Sequence, residues 1–168
     1  DVFGAIARWT NETFHFATSS QNDDTLNTDM LNANSHSPDG EYGSLQEALD
    51  ACGINQNLEP KWLPEGFELA EASVSSQPSP VSIRAKYVSG DCSFSLVTFL
   101  YDSPDAVDYT IFEKDTADVL SYERNGITYY IMTNNQRITA AWMPDDQMLC
   151  SIIGDLSVVE VQQIINSM

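Results

Sequence analysis

Positive charge is scarce in this chain: among 168 residues, 7 lysines and arginines face 25 aspartates and glutamates, for a net charge of −18. That excludes ordinary binding to a nucleic-acid backbone, which needs clustered cations, and docking on an anionic lipid surface. Cysteine is also scarce. Cys52, Cys92 and Cys150 are too few for a disulfide scaffold at this length, and an odd number leaves at least one thiol free. With no C-x-x-C pair, zinc-ribbon and thioredoxin-type sites are excluded as well. No apolar run approaches the roughly 20 residues of a membrane span. No basic stretch followed by an apolar one precedes Asp1, and there is no initiator methionine. The expectation is therefore a fragment of a longer protein, its upstream part missing.

Catalytic signatures are equally sparse. The two histidines are His15, beside aromatics, and His36, in a polar stretch. A Ser-His-Asp hydrolase would show a G-x-S-x-G elbow, and a Cys-His enzyme a family signature; neither is present. Acidic residues cluster at Asp23, Asp24 and Asp29, at Asp39 and Glu41, at Asp102, Asp105 and Asp108, and at Asp145 and Asp146. Loop carboxylates can hold calcium, but no D-x-[DN]-x-[DN]-G loop exists, so they read as solvated turn residues. No metal site, cofactor or catalytic residue is assigned.

What is present suffices for a core: 42% of residues are hydrophobic and 10% aromatic, in a length that suits one domain. Residues 1–16 read as an amphipathic helix, with Val2, Ile6, Trp9 and Phe16 at helical spacing. Residues 17–43 are rich in Ser, Asn, Asp and Thr and read as a polar linker, with a helical turn around Thr25–Asn32. Ser44-Leu45-Gln46-Glu47 is a capping box opening a helix that Gly53 ends. From Phe67 the hydrophobic period becomes two. Strands are expected at Phe67–Val74 (with an irregularity), around Ile83–Tyr87, and at Cys92–Tyr101, Tyr109–Glu113, Val119–Arg124, Ile127–Thr133, Arg137–Met143 and Met148–Ile153. Asn125-Gly126 is the strongest hairpin signal, because both turn positions need positive φ. Ser157-Val158-Val159-Glu160 is a second capping box, with Leu156 and Val161 as a hydrophobic staple, before a closing helix. The fold class is α+β: an antiparallel meander of about seven strands, helices on one face, half-barrel-like, with an N-terminal and a C-terminal helix.

Several side chains are candidates for binding. Tyr129 and Ile131 share one strand face, Tyr130 and Met132 the other, and Trp142 lies on the next strand. One of these faces packs under helices. The other either is open to a peptide, lipid or sugar, or forms a second apolar layer against the N-terminal helix, which is the preferred reading. Trp62, at a Pro-rich turn, reads as a core plug. Cys92 and Cys150 alternate with apolar residues and read as buried structural thiols. Arg84 and Lys86, two apart on one face, are expected to answer carboxylates across strands.

The sequence also resembles a known family. Val2-Phe3-Gly4-Ala5-Ile6-Ala7-Arg8-Trp9-Thr10 with Phe14-His15-Phe16 is similar to the segment just outside the membrane helix in single-pass proteins of Gram-positive Firmicutes. Residues 45–168 resemble that family's C-terminal extracytoplasmic domain, a domain of unknown function. The matching pieces are Leu45–Ile54, Trp62-Leu63-Pro64-Glu65-Gly66-Phe67, Asn125-Gly126-Ile127 with Tyr130, Trp142, and Gly154-Asp155-Leu156-Ser157. The resemblance implies a membrane-tethered, extracytoplasmic sensing or binding domain, non-enzymatic, on proteins whose cytoplasmic part is anti-sigma-factor-like. More distantly, the architecture is similar to the half-barrel of periplasmic lipoprotein carriers, which implies the alternative of an apolar ligand (lipid or peptide) held between sheet and helices. The family has no established catalytic residues to carry over.

Overall fold

The computed structural model describes residues 5–18 and 38–168. Two antiparallel sheets and two helices account for most of them, which is the α+β class expected. The larger sheet contains β3 (Gly40–Tyr42), β4 (Glu68–Ser75), β5 (Val81–Ser89), β6 (Cys92–Leu100), β8 (Leu120–Arg124), β9 (Ile127–Asn134), β10 (Arg137–Asp145) and β11 (Met148–Gly154). Its spatial order is β3-β4-β5-β6-β11-β10-β9-β8. It is thus two four-stranded meanders, joined where β6 pairs with β11. The smaller sheet has the order β1-β2-β7, from β1 (Ala5–Trp9), β2 (Thr13–Thr18) and β7 (Ile111–Glu113).

Turn chemistry explains the hairpins. Asn125 and Gly126 both adopt positive φ, at 52° and 79°, as the β8–β9 connection requires. The β9–β10 turn takes positive φ at Asn135 and Gln136, at 50° and 67°. The irregularity expected in the first long strand is a register shift between Leu69 and Glu71.

The N-terminal residues form a hairpin, not a helix. Ile6 and Trp9 lie on one side, and Phe16 on the other, of a turn in which Thr10 and Thr13 exchange side-chain and backbone hydrogen bonds. Period two then governs: Phe14 and Phe16 are buried, and His15 between them is half-buried. β7 supplies the neighbour that makes this pairing worthwhile, through Thr13↔Glu113 and Phe14↔Phe112. Strand residues also fall within 17–43, the span expected as a linker: β2 runs through Thr18, and Gly40–Tyr42 pairs with β4. The helical turn around Thr25–Asn32, and Asp23, Asp24, Asp29 and His36, lie outside the described residues.

Both helices pack on one face of the large sheet. α1 (Leu45–Ala51) is capped by Ser44, whose Oγ accepts from Glu47 N at 3.1 Å; the Glu47 carboxylate reaches past Ser44 to accept from Gly43 N at 3.0 Å. α2 (Val158–Ser167) has the complete box, with Ser157 N donating to Glu160 Oε2 at 2.7 Å and Glu160 N to Ser157 Oγ at 3.2 Å. Arg124 of β8 donates to the carbonyls of Ile165 and Met168, placing a cation at the negative end of α2. Leu45, Leu49, Ile164 and Ile165 meet Ile83, Phe94, Leu96, Ile152 and Trp142 in the main core.

A second core lies on the opposite face. There Phe14, Phe16 and Phe112 of the small sheet, with Val107 from the 3-10 turn Pro104–Tyr109, cover Met132, Ala141, Met143 and Leu149. Buried Lys114 pins this layer: its Nζ donates to the carbonyls of Thr10, Asn11 and Asp115, at 3.4, 3.2 and 2.6 Å. A lysine can be buried this way because every strong donor finds a carbonyl.

Candidate functional site

The four aromatic candidates do not form one site. Tyr129 and Trp142 lie in the main core with ring centroids 5.0 Å apart. Tyr130 is on the other face, inside an aromatic cluster with Phe14 at 5.2 Å, Phe16 at 5.7 Å and Trp9 at 6.0 Å. The second apolar layer expected there is real, built from strands in place of a helix. Trp62 is not a core plug: it is 37% exposed, beside Gln163 and Asn166 of α2. The space between sheet and helices is filled by fully buried Trp142, Phe94, Leu96, Ile152 and Ile164. A carrier needs that space open.

The thiols also separate. Cys150 is fully buried, with Thr98 Oγ1 3.5 Å from its sulfur, and burial pushes it up to about 12. Cys92, expected to be buried, is exposed at the first residue of β6, and all three thiols are free. A disulfide reagent is therefore expected to consume Cys92 promptly and Cys150 only on global unfolding, as read by peptide mapping. Prompt loss of Cys150 would mean that the core under β11 opens.

The same burial makes stability pH-dependent. Cys150 ionises from near its usual 9.0 when unfolded but holds its proton to about 12 when folded. Its contribution is intact below pH 9 and is lost as pH rises toward 12, at a slope of at most ~1.4 kcal/mol per pH unit for one proton. Tyr87, Tyr101, Tyr129 and Tyr130 are shifted upward by burial too, and act in the same sense. Denaturant midpoints measured from pH 8 to 11 are expected to fall; a flat profile would contradict this burial.

The small sheet covers only part of the outer face of the large one. At Arg84 and Lys86 of β5 that face is exposed, and a cleft of about 180 Å³ lies at the boundary. Its apolar wall is Val97, Phe99, Ile153 and Phe112 of β7; its polar lining is Arg84, Arg137, Ser95 and Ser151. Strand register brings these together. Arg84 pairs with Val97 and Val97 with Ser151, so Arg84 and Ser151 stand two strands apart, about 10 Å between backbones. Lys86, opposite Ser95, stands on the same face as Arg84.

Two features separate this cleft from ordinary surface. Ser151 is 1% exposed, and its hydroxyl has no hydrogen-bond partner among the described residues. A buried hydroxyl left unsatisfied costs about 1–3 kcal/mol. Furthermore, the carboxylate partners expected for Arg84 and Lys86 are not engaged. Glu71 lies opposite Lys86 but accepts from Ser73 Oγ at 3.0 Å, and among the described residues neither cation makes an ion pair. The ion pair that does form holds Arg137 at the rim, Nε to Asp155 Oδ1 at 3.3 Å. In the sequence, only the Arg84–Lys86 spacing hinted at this site.

Elsewhere the acidic residues serve turns: Asp145 Oδ1 accepts from Gln147 N at 3.0 Å, and Asp102 Oδ2 from Ser79 Oγ at 3.3 Å. No group of three His, Cys, Asp or Glu among the described residues is placed to hold a metal ion. None of the described helices is long and apolar enough to cross a membrane.

Comparison with known proteins gives a family and weak structural likenesses. The family described as "Domain of unknown function (DUF4367)" matches residues 57–168, from just after α1 to the chain's last residue. No curated protein matches. A crystal structure of MucB in complex with MucA(peri) is similar at a TM-score of 0.36 and 13% identity, over 63% of this chain and 33% of that one. The complex structure of Pseudomonas aeruginosa MucA/MucB is similar at 0.35 and 14%, over 63% and 32%. This chain thus spans about a third of the length of those chains.

Proposed function

The chain belongs to the DUF4367 family of domains of unknown function, and we propose that it is a non-enzymatic, extracytoplasmic binding domain that recognises a protein partner through the outer face of its large sheet. The carrying observation is the cleft over β5, β6 and β11, where a buried hydroxyl and Arg84, which makes no ion pair among the described residues, stand beside an apolar wall. Polar groups so placed, next to apolar surface, await a complementary group from outside. The resemblance of residues 2–16 to a membrane-proximal segment, and of residues 45–168 to an extracytoplasmic domain, supports a tether upstream and a setting outside the cell. A role in regulating an anti-sigma or other signalling system follows from the same resemblance. The filled sheet–helix interface gives the apolar-ligand alternative no support.

A photo-crosslinking residue at Ser95, in the full-length protein in cells, tests the reading. A discrete protein adduct is expected from position 95 and none from Val159, which is 62% exposed on α2. An adduct from 159 with none from 95 would place recognition elsewhere and remove the proposal.

A further inference from the structure

The proposed binding face also has a chemistry that narrows its occupant. In a chain of net charge −18, three of the seven cations, Arg84, Lys86 and Arg137, border one stretch of sheet. Arg137 is already shared with Asp155 and also donates to the Ser93 carbonyl, at 3.4 Å. The unneutralised charge next to the buried Ser151 hydroxyl is therefore chiefly the Arg84 guanidinium, with Lys86 flanking. A guanidinium and a hydroxyl can bind the two oxygens of one carboxylate. A dianion is less well matched, because one of the two lining arginines already has its carboxylate. The volume, about 180 Å³, lies below the roughly 300–1,000 Å³ of small-molecule pockets; it suits one residue. The wall of Val97, Phe99, Ile153 and Phe112 asks for an apolar side chain.

Resting on that reading of the cleft as the binding surface, we propose that it receives a single carboxylate adjoining an apolar side chain, as at the apolar C-terminal residue of a partner polypeptide. Arg84 and Ser151 hold the carboxylate, and the side chain lies against Val97, Ile153 and Phe112.

The test uses N-acetylphenylalanine as probe, followed by amide-resolved NMR of this chain. Saturable shifts are expected in the millimolar range at positions 84, 95, 97 and 151, weakening as salt is raised. The neutral N-acetylphenylalaninamide should bind at least tenfold more weakly. Arg84→Gln, at an exposed site, should weaken the acid roughly tenfold while leaving the rest of the spectrum unchanged. Ser151→Ala, read in the same titration, should weaken it severalfold. Equal binding of acid and amide, indifference to Arg84→Gln, or tighter binding of phenyl phosphate would each overturn the carboxylate assignment. If the acid shifts nothing while the adduct from position 95 still forms, the carboxylate inference falls and the binding face stands. If neither occurs, both fall.

Discussion

Gly154→Ala is expected to lower the thermal unfolding midpoint by roughly 6–12 °C, the equivalent of about 3 kcal/mol in a domain of this size. The cause is space, not conformation. A Cβ at Gly154 would stand 2.4 Å from the Cα and Cβ of Phe94 and from the carbonyl oxygen of Ser93. Gly154 faces Phe94 in register, and the pair is clamped just beyond by Asp155 N donating to Ser93 O at 2.9 Å and Ser93 N donating to Asp155 Oδ2 at 3.0 Å. Two of the three clashing atoms are backbone, so a rotamer change gives no relief. The β6–β11 pair must spread or shift register. A melt followed by circular dichroism measures this directly, and a midpoint within 2 °C of the parent would contradict the close approach of these strands.

The second large effect is expected at Trp142. Its side chain is fully buried against Tyr129, and Cys150 faces it across the β10–β11 pair. Trp142→Ala removes the largest fully buried side chain and leaves a hole that the packed sheet cannot close. The expected cost is about 3–5 kcal/mol, a large part of the 5–15 kcal/mol that holds a typical domain folded. Trp62→Ala is the internal comparison: at an exposed site it should change stability by about 0.5 kcal/mol or less. Equilibrium denaturation of the two variants separates them, and similar losses would mean that Trp62 is buried in solution.

What the sequence reveals about this fold follows how far apart the cooperating residues lie. Asn125-Gly126, the Ser157–Glu160 box and the alternation read over Cys92–Tyr101 are local; the first two form as expected, and the third gives a strand that ends one residue earlier, at Leu100. Residues 5–16 are not legible in the same way, because what makes them strands is β7, far downstream in the chain. The alternation of Phe14, His15 and Phe16 was the available signal, outweighed by a helical spacing that spanned a turn. Cys92 is exposed against expectation because alternation gives a face but not a strand's end, where that face runs out into solvent. The cleft was half visible. Period two puts Arg84 and Lys86 side by side, but only the β6–β11 register delivers Ser151 to the same place, and no turn signal encodes it. The candidates chosen for aromatic character, Tyr129, Tyr130 and Trp142, are cores in this protein because both faces of the sheet under them are covered.

The junction of the two meanders carries a kinetic consequence. Within β3–β6 and β8–β11, each strand meets the next in the chain through a connection that is mostly short, so those contacts close at little entropic cost. The pairing of Leu96 with Ile152 is different: everything from β7 to β10 is looped out between them. Such nonlocal closure slows folding far more than it weakens the folded state. Neither meander has the full inner face on which the helices pack until the two meet. The β6–β11 junction is therefore expected to set the rate of reaching the native state. A substitution such as Gly154→Ala should therefore appear in the folding limb of a chevron plot, whereas a change confined to the small sheet should appear in the unfolding limb.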